Sequence, residues 1–140
     1  MAEAAWSWHL CERIPSSKDA GHAAIEKLLA AMEHAGWDGR DFFHVQMAVE
    51  EAVVNAITHG NHEADDKSVE LDFKVSASTV YLRIKDEGSG FCPSKLPDPR
   101  DEDHLECTNG RGVLLIRELM TDVHYNQIGN QVVMTKRRAG

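Results

Sequence analysis

The alternation of apolar and polar residues predicts most of the strands of this chain. Apolar residues occupy every second position in two neighbouring runs, residues 69–75 and 80–84, which predicts two strands paired as a hairpin. A shorter alternation over residues 6–10 predicts a first strand that ends at Pro15. Residues 123–134, which contain a Gly-Asn turn, predict a closing hairpin.

Helical spacing predicts three helices between these strands. Residues 25–32 carry apolar side chains at intervals of three and four, and Ser16 with Asp19 resembles a capping box before them. A second helix is expected from Gly39 to His59, with Asp38 as its N-cap. Residues 113–120 are apolar and predict the third helix.

The second of these helices has two distinct faces. An apolar face is expected to comprise Val45, Val49, Ala52, Val53 and Ala56. Glu51, Asn55 and His59 are spaced i, i+4, i+8 and therefore form a polar line along the edge of that face. Such a line either points into a pocket or simply meets water, as the polar edge of any amphipathic helix does.

The order of elements favours an α+β fold. Strands that follow one another along the chain pair with their neighbours, which predicts a two-layer sandwich with helices on one face of a mixed, mostly antiparallel sheet. A length of 140 residues suits a single domain, 1–140.

Composition and charge narrow the possible functions. A hydrophobic content of 42% and a charged content of 27% are ordinary for a soluble globular protein. The net charge of −8 argues against a nucleic-acid partner. No signal peptide or membrane-spanning segment is evident, and Cys11, Cys92 and Cys107 form no C-x-x-C pair. We therefore expect a cytoplasmic protein without a disulfide framework or a zinc site.

Two glycine-bearing segments lie outside the regular elements. Residues 86–91, Asp-Glu-Gly-Ser-Gly-Phe, follow directly on a strand; an acid there can accept a hydrogen bond from an exocyclic amine, and glycines allow close approach to a ring. Residues 110–112, Gly-Arg-Gly, precede an apolar helix whose N-terminal N–H groups can bind an anion. An acidic turn is the alternative for the first segment. Neither segment is a P-loop or a dinucleotide-binding fingerprint.

Three motifs in this order resemble a known family. E-x-x-x-N-A-x-x-H-G begins at Glu51, D-x-G-x-G-F at Asp86 and G-R-G-x-x-L-I-R at Gly110. They resemble the N, G1 and G2 boxes of the GHKL ATPase superfamily, which has the Bergerat fold. The short chain and the run from Leu115 to Val123 are similar to the anti-sigma-factor serine/threonine kinases of the RsbW and SpoIIAB type.

The resemblance implies roles for individual residues. Glu51 would be the catalytic base that takes the proton of a serine hydroxyl, and Asn55 would coordinate Mg²⁺. Residues 91–109 would form a lid over ATP. The residues implied to surround the nucleotide are Asn55, His59, Asp86, Gly88, Gly90, Phe91, Gly110, Arg111, Gly112 and Val113. From its position alone, His59 is interpreted as a hydrogen-bonding residue at the helix end.

The same resemblance implies partners and leaves alternatives. It implies a homodimer that sequesters a sigma factor and phosphorylates an antagonist of the STAS fold, with ATP and Mg²⁺ as cofactors. One alternative is a non-catalytic module in which nucleotide only orders a docking surface. A histidine-kinase catalytic domain is another, although the chain has no helical hairpin with a phosphoacceptor histidine. An α+β domain without nucleotide would make all three motifs coincidental.

Overall fold

The structure has three α-helices, one π-helical segment and five strands in its described part. In the computed structural model, the described residues are 6–88, 110–126 and 129–138. The elements are β1 (Trp8–Pro15), α1 (Lys18–His34), α2 (Gly39–Val54), the π-helical segment (Asn55–Gly60), β2 (Ser68–Val75), β3 (Thr79–Lys85), α3 (Gly110–Leu119), β4 (Asp122–Tyr125) and β5 (Gln131–Arg137).

The strands form one sheet with the helices packed against it. Over the described ranges the strand order is β1-β2-β3-β5-β4, and each neighbouring pair is antiparallel. The predicted α+β sandwich is confirmed, as are both hairpins. The sequence had suggested a mixed, mostly antiparallel sheet. All strand pairs among the described residues are antiparallel.

The core lies between the sheet and the helices. The alternating apolar residues of β2 and β3 are buried, and so is the predicted apolar face that runs from Val45 in α2 to Ala56 in the π-helical segment. Trp37 closes one end of this core and donates its indole N–H to the carbonyl of Ser76, 2.8 Å away. The polar residues of β2 and β3 therefore lie on the opposite face of the sheet, away from the helices.

The start of α1 differs from the prediction by one residue. Ser17, not Ser16, is the N-cap, and its Oγ accepts the N–H of Ala20 at 3.2 Å. Ser16 is buried instead and donates its hydroxyl to the carbonyl of Lys67 at 2.8 Å. Two consecutive serines made the cap ambiguous, and a contact from a distant part of the chain decided it.

The end of α3 is fixed by a lysine from β5. Lys136 Nζ lies 2.5 Å from the Leu119 carbonyl and 3.1 Å from His44 Nδ1. A cation at a helix C-terminus is favourable because the last carbonyls there lack intrahelical partners. Burial, and secondarily the charge of Lys136, lowers the pKa of His44, so the neutral ring accepts this hydrogen bond. α3 is thereby anchored to both α2 and the sheet.

None of the helices in the described ranges has the length and apolar character needed to cross a bilayer.

Candidate functional site

Glu51 and Asn55 are held together at the end of α2. The Asn55 side chain donates from Nδ2 to Glu51 Oε2 at 3.2 Å, and both side chains are half-buried. This hydrogen bond occupies the amide nitrogen and leaves the Asn55 oxygen available as a ligand for a hard cation. The predicted pair is therefore assembled by the helix itself, from residues four positions apart.

The helix changes its winding at Asn55. Residues 55–60 form the π-helical segment, and the N–H of Asn61 donates to the carbonyl of Ala56 at 2.9 Å, five residues back. A π-helical turn holds about one residue more than an α-helical turn, so side chains after Asn55 no longer follow the i, i+4 line. His59 is exposed and makes no hydrogen bond within the described ranges. The predicted line of three thus continues only from Glu51 to Asn55.

The π-helical segment brings the first motif against the second. A Cβ on Gly60 would overlap the carboxylate of Asp86, and a Cβ on Gly88 would overlap the carbonyl of Gly60. Both glycines are therefore required by close contact between the helix end and the turn after β3. The two motifs, well separated in sequence, are therefore in direct contact at Gly60, Asp86 and Gly88.

Asp86 is a buried acid at the end of β3. Its Oδ1 accepts the N–H of Gly88 at 2.7 Å, which is the only hydrogen bond to this carboxylate from residues that the structure describes. Burial raises the pKa of Asp86, and the Gly88 hydrogen bond partly opposes that shift. Oδ2 remains available to accept a hydrogen bond from a ligand.

Asn61, directly after the π-helical segment, connects four parts of the chain. Its side chain is completely buried. Nδ2 donates to Ser16 Oγ at 2.8 Å and to the Ser68 carbonyl at 2.9 Å, while Oδ1 accepts the N–H of Glu87 at 2.7 Å. Every hydrogen-bonding group of this amide is used at least once, which is what burial of an amide requires. Asn61 thereby fixes the turn after β3 to the helix end.

Two further contacts hold the same turn from other sides. The Glu87 carboxylate accepts the N–H and hydroxyl of Ser68 at 2.7 and 2.9 Å, and these bonds lower the pKa of Glu87. Asn130 accepts the N–H of Asp86 at 2.9 Å through its backbone carbonyl and donates its side-chain amide to the Asp86 carbonyl at 3.2 Å. The backbone on both sides of the Asp86 carboxylate is therefore fixed.

Tyr125 carries Arg117 over its ring and is influenced by the charge of Glu51. The Arg117 guanidinium carbon is 5.8 Å from the centre of the Tyr125 ring. Burial raises the pKa of Tyr125, the charge of Arg117 opposes this, and the negative charge of Glu51 adds to it. The hydroxyl of Tyr125 is therefore protonated at neutral pH. The pKa of Tyr125 thus responds to the charge of Glu51.

Part of the predicted site lies outside the described residues. This applies to Gly90, Phe91, the predicted lid and both Cys92 and Cys107. The helix predicted from residue 113 begins at Gly110, so the Gly-Arg-Gly segment forms its first turn. The N–H groups of that turn are the ones an α-helix leaves without intrahelical partners. The backbone of Gly110, Arg111, Gly112 and Val113 is thus placed at a helix N-terminus.

Several residues of the site had not been singled out from sequence. Asn61, Asn130 and Ser16 owe their importance to contacts across 26 to 45 positions, and local spacing carries no signal for such contacts. The one local signal is that Asn61 directly follows Gly60, the glycine that ends the first motif. Tyr125 was assigned only to a strand.

Comparisons with known proteins identify the family of this chain. A family described as "Histidine kinase-like ATPase domain" matches residues 14–136. The chain is 30% identical over 133 residues to the serine-protein kinase RsbW of Staphylococcus aureus (strain MRSA252), covering 89% of this chain and 83% of that protein.

Two other relatives have similar names. A serine-protein kinase RsbW of Oceanobacillus iheyensis is 24% identical over 131 residues, covering 89% of this chain and 83% of the relative. An anti-sigma F factor of Bacillus velezensis is 32% identical over 98 residues, 66% of each chain. The chain belongs to the histidine kinase-like ATPase domain family and, within it, to the ATP-binding serine-protein kinases of the RsbW type.

Proposed function

We propose that this kinase binds Mg·ATP at the surface formed by Glu51, Asn55 and Asp86 and transfers the γ-phosphoryl group to a serine or threonine of a protein partner. The observation that supports this best is the junction of the first two motifs, where Gly60 lies against Asp86. In this contact the π-helical segment, which begins at Asn55, ends against the acid, and this supports a site shared by the two motifs.

Asp86 is suited to the base end of the nucleotide. A carboxylate with one oxygen held by Gly88 can accept a hydrogen bond at the other from the exocyclic amine of adenine. Guanine presents a carbonyl oxygen at the corresponding position, and a carboxylate would repel it. The proposed contact therefore predicts a preference for ATP over GTP.

Asn55 and α3 are suited to the phosphate end. The amide oxygen of Asn55 fits Mg²⁺, since this ion takes oxygen ligands and usually keeps several waters. The N-terminal turn of α3 presents backbone N–H groups for phosphate oxygens. Bound Mg²⁺ would neutralise charge on the transferred phosphoryl group.

Glu51 is the proposed base. It lies one helical turn before Asn55, about 6 Å along the axis from the helical rise. When the serine oxygen attacks the γ-phosphorus and the bond to ADP breaks, the hydroxyl proton passes to the Glu51 carboxylate. The hydrogen bond from Asn55 holds that carboxylate in place. Asn55 thus serves both as the proposed ligand and as the residue that orients the base.

The names of the relatives support a wider role. One relative is named an anti-sigma F factor, and we infer that this chain likewise holds a sigma factor and phosphorylates a STAS-type antagonist that releases it. A homodimer of single-domain chains is part of this proposal. The acidic net charge of −8 supports a protein partner over nucleic acid.

A matched pair of variants tests Glu51 as the proposed catalytic base. Glu51→Gln keeps an acceptor for the Asn55 amide but cannot take a proton. Glu50→Gln is the control, because Glu50 also accepts a hydrogen bond from a residue four positions away, Gln46 Nε2 at 3.5 Å. Each protein is added with labelled Mg·ATP to lysate of the source cells, and labelled proteins are identified by mass spectrometry.

The expected result is one small protein labelled on Ser or Thr by the wild type and by Glu50→Gln. Glu51→Gln should label it at least about a hundredfold more slowly, a typical loss for removing a general base, while binding ATP normally. Equal labelling by both variants would overturn the role of Glu51. No labelling by any of them, with ATP bound, would instead favour the nucleotide-gated docking module.

A further inference from the structure

Three metal-ligating side chains meet on the sheet face opposite to the helices. His9 and Cys11 are two positions apart on β1 and therefore point to the same side of the sheet. Asp72 on β2 is the direct cross-strand partner of Cys11. One ligand atom from each, a ring nitrogen, a thiol sulfur and a carboxylate oxygen, lies within 4.8 Å of the other two.

We propose that His9, Cys11 and Asp72 form a binding site for a thiophilic divalent cation, with Zn²⁺ as the expected ion. Nitrogen, sulfur and oxygen are the three ligand types that proteins offer to zinc, and three protein ligands plus a water complete a tetrahedral shell. Hard cations such as Mg²⁺ and Ca²⁺ are disfavoured by the thiol and the imidazole. The site is separate from the proposed nucleotide site.

The backbone already holds the three residues at suitable positions. Ligands of a tetrahedral zinc ion lie about 3.5 Å from one another, given metal–ligand distances of about 2.0–2.3 Å. His9 Nε2 and Asp72 Oδ1 are 2.7 Å apart and must open slightly, whereas the sulfur must move inward. Side-chain rotation is sufficient for both, because the β1–β2 ladder fixes the two strands in register.

The surroundings of Asp72 orient one of its oxygens towards the site. Oδ1 faces His9, and the other oxygen, Oδ2, lies 3.9 Å from Arg83 Nε. Arg83 also lies 3.7 Å from Glu70, so its charge is shared between two carboxylates. A positive group on the far oxygen holds the carboxylate in orientation, as outer contacts of metal ligands commonly do.

The three side chains are accessible to an ion from solvent. Cys11 is exposed, and the side chains of His9 and Asp72 retain 51% and 18% of their accessible surface. Cation binding would displace the thiol proton to solvent, giving the thiolate as the ligand. No backbone opening is needed for entry.

Cobalt titration tests the site because a cobalt–thiolate bond has its own near-ultraviolet absorption band. The titration uses the full chain carrying Cys92→Ser and Cys107→Ser, so that Cys11 is its one thiol. We expect a band that saturates at one equivalent and is removed by adding Zn²⁺. Adding Cys11→Ser should abolish it, and Asp72→Asn or His9→Gln should weaken metal binding at least about tenfold.

His34→Gln is the matched control, since His34 is also an exposed histidine but lies on α1. It should leave the titration unchanged. Absence of the band, or equal effects of His9→Gln and His34→Gln, would overturn the proposal.

A second measurement needs no substitution. Zn²⁺ should slow alkylation of Cys11 in the reduced wild-type chain severalfold, measured by peptide mass spectrometry. An alkylation rate unaffected by Zn²⁺ would refute coordination by this thiol.

Discussion

At the scale of a single residue, we predict that replacing the buried carboxylate of Asp86 lowers the affinity for ATP without lowering the stability of the protein. Asp86→Asn keeps an oxygen that can accept the Gly88 N–H, but places an amide where adenine would need an acceptor. We expect ATP affinity to fall at least about tenfold, the loss typical of a mismatched buried polar pair. Isothermal titration calorimetry measures this, and unchanged affinity would remove Asp86 from the site.

The same substitution should not destabilise the protein. Burial raises the pKa of Asp86, so its ionisation costs folding free energy above that pKa and the cost disappears below the unfolded-state value of about 3.9. Asn has no such cost. At neutral pH, Asp86→Asn should be at least as stable as the wild type in urea unfolding, with any advantage narrowing as the pH falls. A large loss of stability would contradict this.

Position 60 requires glycine because a side chain there would overlap the Asp86 carboxylate, and not because the backbone adopts a left-handed conformation. Its φ angle lies outside the left-handed range, so Gly60→Ala would ordinarily stabilise the helical chain by roughly 0.5–1 kcal/mol. Overlap of the new Cβ with the Asp86 carboxylate should instead make it destabilising, by about 1–3 kcal/mol.

A double-mutant cycle isolates that contact. In an Asp86→Ala background the clashing carboxylate is absent, so Gly60→Ala should cost much less there, with the difference measured by denaturant unfolding. Equal costs in both backgrounds would mean that the contact between the two motifs does not explain the glycine.

At the scale of elements, the junction between α2, the π-helical segment and β3 depends on Asn61. Asn61→Leu has similar volume but leaves the Ser68 carbonyl and the Glu87 N–H without their partner. We expect a loss of about 2–4 kcal/mol in unfolding free energy, since each buried unsatisfied group costs about 1–3 kcal/mol. The turn after β3 would also be released, so ATP affinity should fall.

Ser16→Ala is the comparison for that variant. It removes one partner of the Asn61 amide and one hydrogen bond to the Lys67 carbonyl, away from the turn after β3. About 1 kcal/mol of stability should be lost with little change in ATP affinity. If both variants changed ATP affinity equally, Asn61 would have no particular connection to the nucleotide site.

The helices and strands were predictable from the sequence because their buried residues recur at short, regular intervals along the chain. The alternation in β2 and β3 and the apolar face of α2 each follow from residues a few positions apart, and the structure buries those residues. The π-helical segment was not predictable, since it arises where the helix end must fit against Asp86 and Gly88. Its winding changes the position of His59, which a regular α-helix would have kept in line with Glu51.

At the scale of the whole molecule, motif order predicted the family and the alternation of apolar residues predicted the two hairpins, but neither predicted the contacts that assemble the site. Glu51 and Asn55 were predictable because one helix carries both. Asn61 and Asn130 contact the turn after β3 from separate parts of the chain, and only the folded chain brings them there. The His9–Cys11–Asp72 cluster likewise needs the β1–β2 register, which places Cys11 opposite Asp72.

Nucleotide binding should stabilise the whole chain, because its contacts draw on α2, the π-helical segment and the turn after β3. With Mg·ATP at a hundred times its dissociation constant, mass action adds about 2.7 kcal/mol to the unfolding free energy. For a chain of 140 residues this corresponds to a rise in Tm of roughly 10 °C. Thermal unfolding with and without nucleotide measures it directly.

Three variants assign that rise in Tm to parts of the site. Asp86→Asn should lose at least about half of it, because a tenfold weaker affinity for ATP lowers the added unfolding free energy from about 2.7 to about 1.4 kcal/mol. Asn55→Ala should lose the additional stabilisation that Mg²⁺ gives over ATP with a chelator, since the proposed metal ligand is missing. Glu51→Gln should keep the full rise, because a proton acceptor contributes to transfer and not to binding the nucleotide. A variant of Glu51 that lost the rise together with activity would make this residue part of the binding surface, and the proposed base would then have to be sought elsewhere on the chain.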